Sequence, residues 1–412
     1  MNYKSLNDHL RKEGFIMGIE LNNDQIYATL ALERWWKELP TQVFEITGGA
    51  GTGKTTCILY FIQRIGLNLD EVLFVSYMGK AVSAMIRAGL PAKTIHATCY
   101  KYEKEVEYDE KGHMIFLDNG KPKMKWVAHR KEKLPKGIKL IVVDEAYTIP
   151  ENNARDLMKF QLPIIALGDS NQLPPPFGRP FFLKHPDIEL HQIMRQEEGN
   201  PIIYLAQRIL NNEPLKEGVY GTSAVIRKRN LTDYALKHAD VIITGTNRLR
   251  NEINNLFRNE FLQFSHPEIP HYGEKIICKR NNWGKYINMK GEIYLTNGLT
   301  GFVDYVEKRS YTTKSMTIDF RPDFSTKAFH NLKISLDRLN SPQTKDDIWT
   351  PPDVDLFEYA YALTGFACQG SQWDNVLILE EDDFFHNERN YQRLKYSTIT
   401  RAVKSVTYCL NE

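Results

Sequence analysis

Short apolar runs return along the chain at residues 43–46, 72–75, 140–143, 164–167, 241–243 and 376–379, each three or four residues long and separated from the next by helically spaced stretches. That rhythm predicts buried parallel strands joined by crossover helices, an α/β chain. The first four runs each give way to Gly or polar residues, and open α/β sheets hold their ligands at that carboxyl edge. Chemistry is expected there. Between residues 101 and 135 the pattern changes. HMIFL, the turn string Asp118-Asn119-Gly120 and KPKMKWV predict a β-hairpin inserted into the first α/β domain. Residues 262–350 again lack the alternation, and the runs KIICK, EIYLT, TGFVDYV and SMTIDF, separated by Gly and Asn, predict a small β-barrel insertion. The sheet pattern resumes after Pro351-Pro352. The expected organisation is a first sheet domain over 1–178 carrying the 101–135 hairpin, a second over 179–261 and 351–412, and the 262–350 insertion.

Composition narrows the picture only a little. A chain of 412 residues is long enough for two or more cores. No apolar run approaches the roughly 18 residues of a membrane span, so no membrane partner is expected. The opening, MNYKSLNDHLRKEGF, lacks the apolar core of a secretory signal, which predicts a cytoplasmic protein. Cys57, Cys99, Cys278, Cys368 and Cys409 form no CxxC pair and have no His partners at zinc spacing, so a reduced compartment and no structural metal are expected. The net charge of +2 hides one asymmetry: residues 121–139 hold eight Lys or Arg against the single acid Glu132. Such a run is either a solvated face or a nucleic-acid contact.

The candidate chemistry begins at residues 48–55, GGAGTGKT, between the strand-like VFEIT and the helix-like TCILYFIQRI. Gly48, Gly49, Ala50, Gly51, Thr52 and Gly53 let the backbone curl around phosphate oxygens and turn its N–H groups, with that of Thr56, toward negative charge. Lys54 is placed for the β- and γ-phosphates of ATP and the Thr55 hydroxyl for Mg²⁺. LIVVDE, residues 140–145, supplies the second half of such a site: Asp144 for the metal and Glu145 to orient or deprotonate an attacking water. A signalling GTPase or small-molecule kinase does not ordinarily need that glutamate.

Further strings, in order along the chain, resemble those of superfamily 1B DNA helicases, nearest the RecD-like branch and its compact phage or plasmid versions. The resemblance runs from about residue 22 to the C-terminus. Asn23-Asp24-Gln25 resembles the Q motif, which implies that Gln25 reads the adenine edge. FVSYMGKAVSAM resembles motif Ia and Thr94-Ile95-His96 the adjacent TIH string, implying that Tyr77, Lys80, Thr94 and His96 face single-stranded DNA. ALGDSNQLPPP resembles motif III, with Gln172 as the γ-phosphate sensor. HQIMRQEEGNPIIYLAQRIL resembles motif IV and YSTITRAVKSVTYCL motif VI, which makes Arg195 and Arg401 a pair of arginines reaching the γ-phosphate across a cleft. TGFACQGSQWD resembles motif V, with Thr364 on DNA and Gly370 and Gln372 on the nucleotide, although Phe366 and Ala367 stand where the family carries His and Lys. Asn247 is a further DNA contact on the same footing.

The resemblance implies two RecA-like parallel-sheet domains, 1A and 2A. Asn297-Gly298 would open an SH3-like β-barrel, 2B, and the 101–135 hairpin would be a wedge, 1B. Trp126 on that hairpin either stacks a base beside phosphate contacts or anchors the hairpin. The implied activity is ATP-dependent, 5′ to 3′ translocation on single-stranded DNA with unwinding of forked duplex, in company with single-strand-binding or replisome proteins. The alternatives are a translocase that unwinds weakly and a P-loop kinase or GTPase. The biological setting, replication, recombination or repair, is left open.

Overall fold

The computed structural model of the chain describes residues 21–116, 120–175, 178–193, 199–288, 292–307, 314–340, 354–381 and 388–411. The chain divides into two compact units. The first runs as far as Lys93, then takes in Pro135–Gln263 and everything from Tyr361; the second is Thr94–Leu134 with Phe264–Ala360.

The first unit opens on α1, Asn23–Glu38. Asn22 caps it, its side chain accepting the Gln25 N–H while the Gln25 side chain accepts the Asn22 N–H, a reciprocal box that fixes the first turn. Gln25, Ala28, Leu32 and Trp35 fall on one stripe and are buried. In chain order there follow β1 (Val43–Gly48), α2 (Lys54–Arg64), β2 (Val72–Ser76), α3 (Gly79–Arg87) and β3 (Ala92–Thr94). The second unit then contributes α4 (Ile95–Cys99), β4 (Tyr100–Val106) and β5 (Met124–Arg130), after which β6 (Leu140–Asp144), β7 (Ile164–Gly168) and β8 (Ile188–Leu190) complete a sheet ordered β3-β2-β6-β7-β1-β8. β1 pairs in parallel with β7 and β8, and β6 with β2 and β7. Because β1 lies beside β7 rather than β2, the ends of β1, β6 and β7 stand next to one another.

A second sheet is built from α5 (Pro201–Leu210), β9 (Gly218–Tyr220), β10 (Ser223–Arg227), β11 (Val241–Thr244) and α6 (Asn247–Leu256), and near the C-terminus from β19 (Ala362–Thr364), β20 (Trp373–Leu379) and β21 (Ala402–Leu410). Its order is β19-β11-β20-β21-β10-β9, and every pair except β9–β10 is parallel. The intervening second unit supplies β12 (Lys275–Cys278), β13 (Asn282–Asn288), β14 (Glu292–Leu295), β15 (Thr300–Val306), β16 (Ser315–Pro322), β17 (Phe329–Ser335) and β18 (Phe357–Tyr359). β19 (Ala362–Thr364), β20 (Trp373–Leu379), α7 (Glu388–Ile399) and β21 (Ala402–Leu410) then return to the first unit. The six apolar runs are thus β1, β2, β6, β7, β11 and β20, four in one parallel-sheet core and two in the other.

In the second unit β12 and β15–β18 form an antiparallel sheet ordered β17-β16-β15-β12-β18, and a parallel bridge from Ile334 to Asp355 ties β17 to the segment leading into β18. β13–β14 and β4–β5 are separate hairpins. In the second of these Phe116 bridges Pro122 and Lys123 N donates to Ile115 O at 2.7 Å about the predicted turn string, but the long arms lie elsewhere. Tyr100–Val106 pairs with Met124–Arg130, while HMIFL contributes only single bridges at Met114 and Phe116. The alternation that forms the long arm, YKYEKEV, puts Tyr100, Tyr102 and Val106 on one face and charged residues on the other, and the charges mask it in sequence. Of its predicted turn, Asp118 and Asn119 lie outside the described residues.

Candidate active site

β1 delivers the glycine loop to the sheet edge, and the loop turns back into α2 through two glycines in the left-handed region, Gly51 at φ 78 and Gly53 at φ 73. Gly48 has no room for a side chain, since a Cβ would stand 2.7 Å from Thr52 Oγ1 and 3.0 Å from Leu190 Cβ. The loop is held from within by Thr52 Oγ1, which donates to Gly49 O at 2.9 Å, and by Lys54 Nζ, which donates to Gly48 O at 2.6 Å and Gly49 O at 3.1 Å. From behind, Gln25 Nε2 donates to Thr52 O at 3.0 Å. The resemblance turns that amide toward adenine; here its two ends engage Thr52 O and Asn22 N, and Gln25 is fully buried. Thr55 is exposed at the start of α2, and Thr56 is partly so.

Asp144 ends β6 and Glu145 follows with φ 52, its N–H donating to Asp144 Oδ1 at 2.9 Å. Burial pushes both carboxyls up. For Asp144 the amide bond and the Lys54 charge oppose that rise. For Glu145 the opposing charges are Arg401 and Lys54, while Asp144 and Asp169 add to the rise. Lys54 and a guanidinium from the other sheet are therefore what favours a charged Glu145, the form a base must take. Among the described residues no group of three or more His, Cys, Asp or Glu could hold a metal alone. A carboxylate on Asp144 and a hydroxyl on Thr55 suit Mg²⁺, which takes one or two protein oxygens and fills its shell from water and substrate phosphates.

The loop after β7 meets the second sheet. Asp169 and Gln172 are buried there, and Gln172 N donates to Asp169 O at 3.2 Å. Leu173 N donates to Ser397 Oγ at 2.9 Å, Gln369 Nε2 donates to Leu173 O at 3.0 Å, and Arg393 Nη2 donates to Ser170 O at 3.0 Å. Arg401, at the turn between α7 and β21, is 4% exposed; its Nε donates to Ser397 O at 2.9 Å and its Nη1 to Ser371 O at 3.4 Å. Gly370, at φ 68, lies so close to Met78 that a Cβ would be 2.7 Å from Met78 Cβ, while Gln372 is exposed. Arg195 lies outside the described residues.

The other candidates are elsewhere. Lys80 Nζ lies 4.5 Å from the Trp373 ring centroid, and burial pushes the partly exposed Tyr77 phenol up. Asn247 is exposed at the start of α6, and Thr364 closes β19, its carbonyl accepting the Cys368 N–H at 3.1 Å. In the second unit Thr94 caps α4, accepting the Ala97 N–H at 3.1 Å. His96 sits 5.7 Å from the Trp283 ring, which stacks on Tyr102 at 4.2 Å, and burial lowers the imidazole. Trp126 is 41% exposed; Lys104 Nζ is 5.2 Å from its ring centroid, and a Cβ on Gly284 would come within 2.9 Å of the ring. It thus has both a covered and an open part.

Sequence reasoning assigned no role to Tyr396, Ser397 or Arg393. Tyr396 opens the quoted motif VI string, yet its partners, Ala50 and Asp169, lie hundreds of positions away. Trp283 and Glu381 were missed as well; Glu381 accepts the Gly245 and Thr246 N–H groups at 2.7 and 2.8 Å, closing the end of β11.

An AAA domain family matches residues 33–178. An uncharacterized protein of Methanocaldococcus jannaschii, MJ1519, is 23% identical over an alignment covering 91% of this chain and 37% of that protein, so the chain spans little more than a third of that relative's length. A Pif1 helicase from a structural study of DNA unwinding at forked duplex by two coordinating Pif1 helicases is similar with a TM-score of 0.52 at 17% identity, covering 94% of this chain and 92% of that one. Bacteroides Pif1 bound to single-stranded DNA gives a TM-score of 0.50 at 16% identity with the same coverage. The fold is therefore that of the Pif1 helicases, with the glycine loop at the edge of its first parallel sheet.

Proposed function

We propose that the chain is an ATP-dependent DNA helicase of superfamily 1B, on its RecD-like branch, that moves 5′ to 3′ along single-stranded DNA and opens forked duplex. One observation carries the reading: Gln369 Nε2 of the second sheet donates to Leu173 O in the loop after β7, and Arg401 is buried beside that segment with its Nη1 donating to Ser371 O, so the second sheet brings a buried guanidinium to the loop edge of the first. A kinase or GTPase needs an acceptor pocket or a base-selective string and, although an arginine can serve its transition state too, has no need of a second parallel sheet to supply it. A motor does, because a triphosphate that touches both sheets ties their closure to its own presence and their release to its hydrolysis.

In this reading the loop amides and Lys54 hold the β- and γ-phosphates, and Thr55 and Asp144 hold Mg²⁺, which offsets phosphate charge. Glu145 orients and deprotonates the water, Gln172 senses the γ-phosphate, and Arg401, with Arg195, neutralises charge that develops in transfer. Gln25, bonded to Thr52 O, and Gly370 and Gln372 shape the rest of the nucleotide pocket. Tyr77, Lys80, Asn247, Thr364, Thr94, His96 and Trp126 line the single strand, through phosphates and stacking rather than base edges. The 101–135 hairpin is the wedge 1B and residues 262–350 the SH3-like insertion 2B, set into RecA-like domains 1A (1–178) and 2A (179–261 and 351–412). That solved relatives of this fold are Pif1 helicases described with single-stranded and forked DNA supports DNA as the track.

Unwinding measured on 5′-tailed, 3′-tailed and blunt duplexes, beside a Lys54→Ala control, tests the proposal. Displacement from 5′ tails only, lost in the control, is expected. Equal rates on 3′ tails defeat the 1B placement. DNA-stimulated ATP turnover with no displacement leaves a translocase, a reading that Phe366 and Ala367 in motif V favour.

A further inference from the structure

The phenol of Tyr396 stands at a junction that the ATPase reading leaves without a role. Tyr396 is buried on α7, yet its hydroxyl reaches the first sheet, accepting the Ala50 N–H at 3.1 Å and donating to Asp169 Oδ2 at 2.5 Å. Ala50 belongs to the phosphate loop and Asp169 follows β7, so one oxygen joins two loops of the first sheet to a helix of the second. Space is kept for it, since a Cβ on Gly49 would stand 3.2 Å from the same oxygen. The other oxygen of Asp169 is held by the Asn171 N–H at 2.9 Å, which fixes the carboxylate on both sides. Nearby bonds join the sheets without touching the phosphate loop: Leu173 N to Ser397 Oγ, and Arg393 Nη2 to Ser170 O.

We propose that Tyr396 is a positioning residue for ATP hydrolysis: its hydroxyl sets the Ala50 amide against Asp169 when the second sheet docks, so the phosphate loop takes its working shape only in the closed cleft. This rests on the ATPase reading. With the Ala50 N–H held by the phenol, the other loop amides keep the fixed positions from which alone amides stabilise developing phosphate charge, and a hydroxyl on a buried carboxylate at this distance belongs to the strong class of hydrogen bonds. Ring packing alone would dock the sheets while leaving amide and carboxylate unset. The tyrosine therefore reports to the loop that the cleft is shut.

Tyr396→Phe keeps the ring and removes one oxygen. Steady-state ATP hydrolysis with saturating single-stranded DNA is measured for the unaltered chain, Tyr396→Phe and Ser397→Ala, with thermal unfolding of each. The expected result is a kcat lowered about tenfold in Tyr396→Phe with KM for ATP changed less than about threefold, a smaller loss than the 10²-fold or more of a direct oxyanion donor. Ser397→Ala, which loses a bond between the sheets away from the loop, is expected to keep kcat within about threefold. A Tyr396→Phe kcat equal to that of the unaltered chain overturns the proposal. So does an equal fall in both variants, which would make Tyr396 one docking contact among several. Should Tyr396→Phe unfold, Asp169→Asn, which removes the charge that the phenol meets, takes its place with the same expected kcat loss, and an unchanged kcat there overturns the proposal too. An unaltered chain that turns over no ATP refutes the ATPase reading instead, so the two failures are distinct.

Discussion

Gln25→Ala is the substitution on which the geometry behind the glycine loop can be judged most directly. The side chain is fully buried, donates to Thr52 O at 3.0 Å and accepts the Asn22 N–H at 3.0 Å. Truncation strands one carbonyl inside the loop and one amide at the start of α1. Each lost bond is worth about 1 kcal/mol net, and a partner left buried without a substitute adds about 1 kcal/mol or more. The Asn22 amide lies at a helix start where water can replace part of the loss, so the sum is about 2–3 kcal/mol of stability. Urea unfolding followed by circular dichroism reads this as a lower midpoint at constant slope. Since Thr52 O is part of the loop, its amides lose their register as well, and affinity for ATP and for inorganic tripolyphosphate should fall together, by about tenfold for each 1.4 kcal/mol transmitted. A stability loss under about 0.5 kcal/mol would refute the reasoning, because one buried and one part-buried bond cannot both vanish for less. A fall in ATP affinity with tripolyphosphate untouched would refute it differently, by making the adenine base and not Thr52 the partner that matters.

Two further predictions concern the core around the site. Glu45, in β1, is pushed up to about 7 by burial, with the Asp187 charge adding to the rise and the Leu183 N–H, which it accepts at 3.0 Å, and Lys184 opposing it. A carboxyl raised on folding contributes stability that is complete below its unfolded value of about 4.5 and lost as pH climbs through about 7. Discounted by half for its partial exposure, the loss from pH 5 to pH 8 is roughly 1–2 kcal/mol. Urea midpoints across that range should fall in the unaltered chain and flatten in Glu45→Gln, and an identical slope in both would count against the assignment. Gly365, packed under α7, has no room for a methyl group: its Cβ would stand 2.3 Å from Leu394 Cδ1 and 3.2 Å from Thr398 Cγ2. Gly365→Ala should cost about 1–3 kcal/mol by overpacking, and adding Leu394→Ala should recover part of it; strictly additive losses in the pair would show that the two sites do not touch.

What the residue pattern alone determined is local. Six apolar runs of the right length are strands because buried parallel strands have little alternative but continuous Val, Ile and Leu. GGAGTGKT is a tight loop because Gly51 and Gly53 occupy backbone angles that side chains disfavour. Where the pattern was mixed, as in YKYEKEV, charges hid the strand, and the short β8, β9 and β19 carry too few residues to announce themselves.

The tertiary structure alone decided which of these pieces meet. Sheet order places β1 beside β7, and thereby brings Gly48, Asp144 and Asp169 to one edge. It spends the Gln25 amide on Thr52, and it carries Tyr396 across 346 positions to Ala50. A strand or a turn is paid for within a few residues, and so its cause can be read in those residues. A hydrogen bond between distant segments depends on every crossover and packed face between them, which no short string contains.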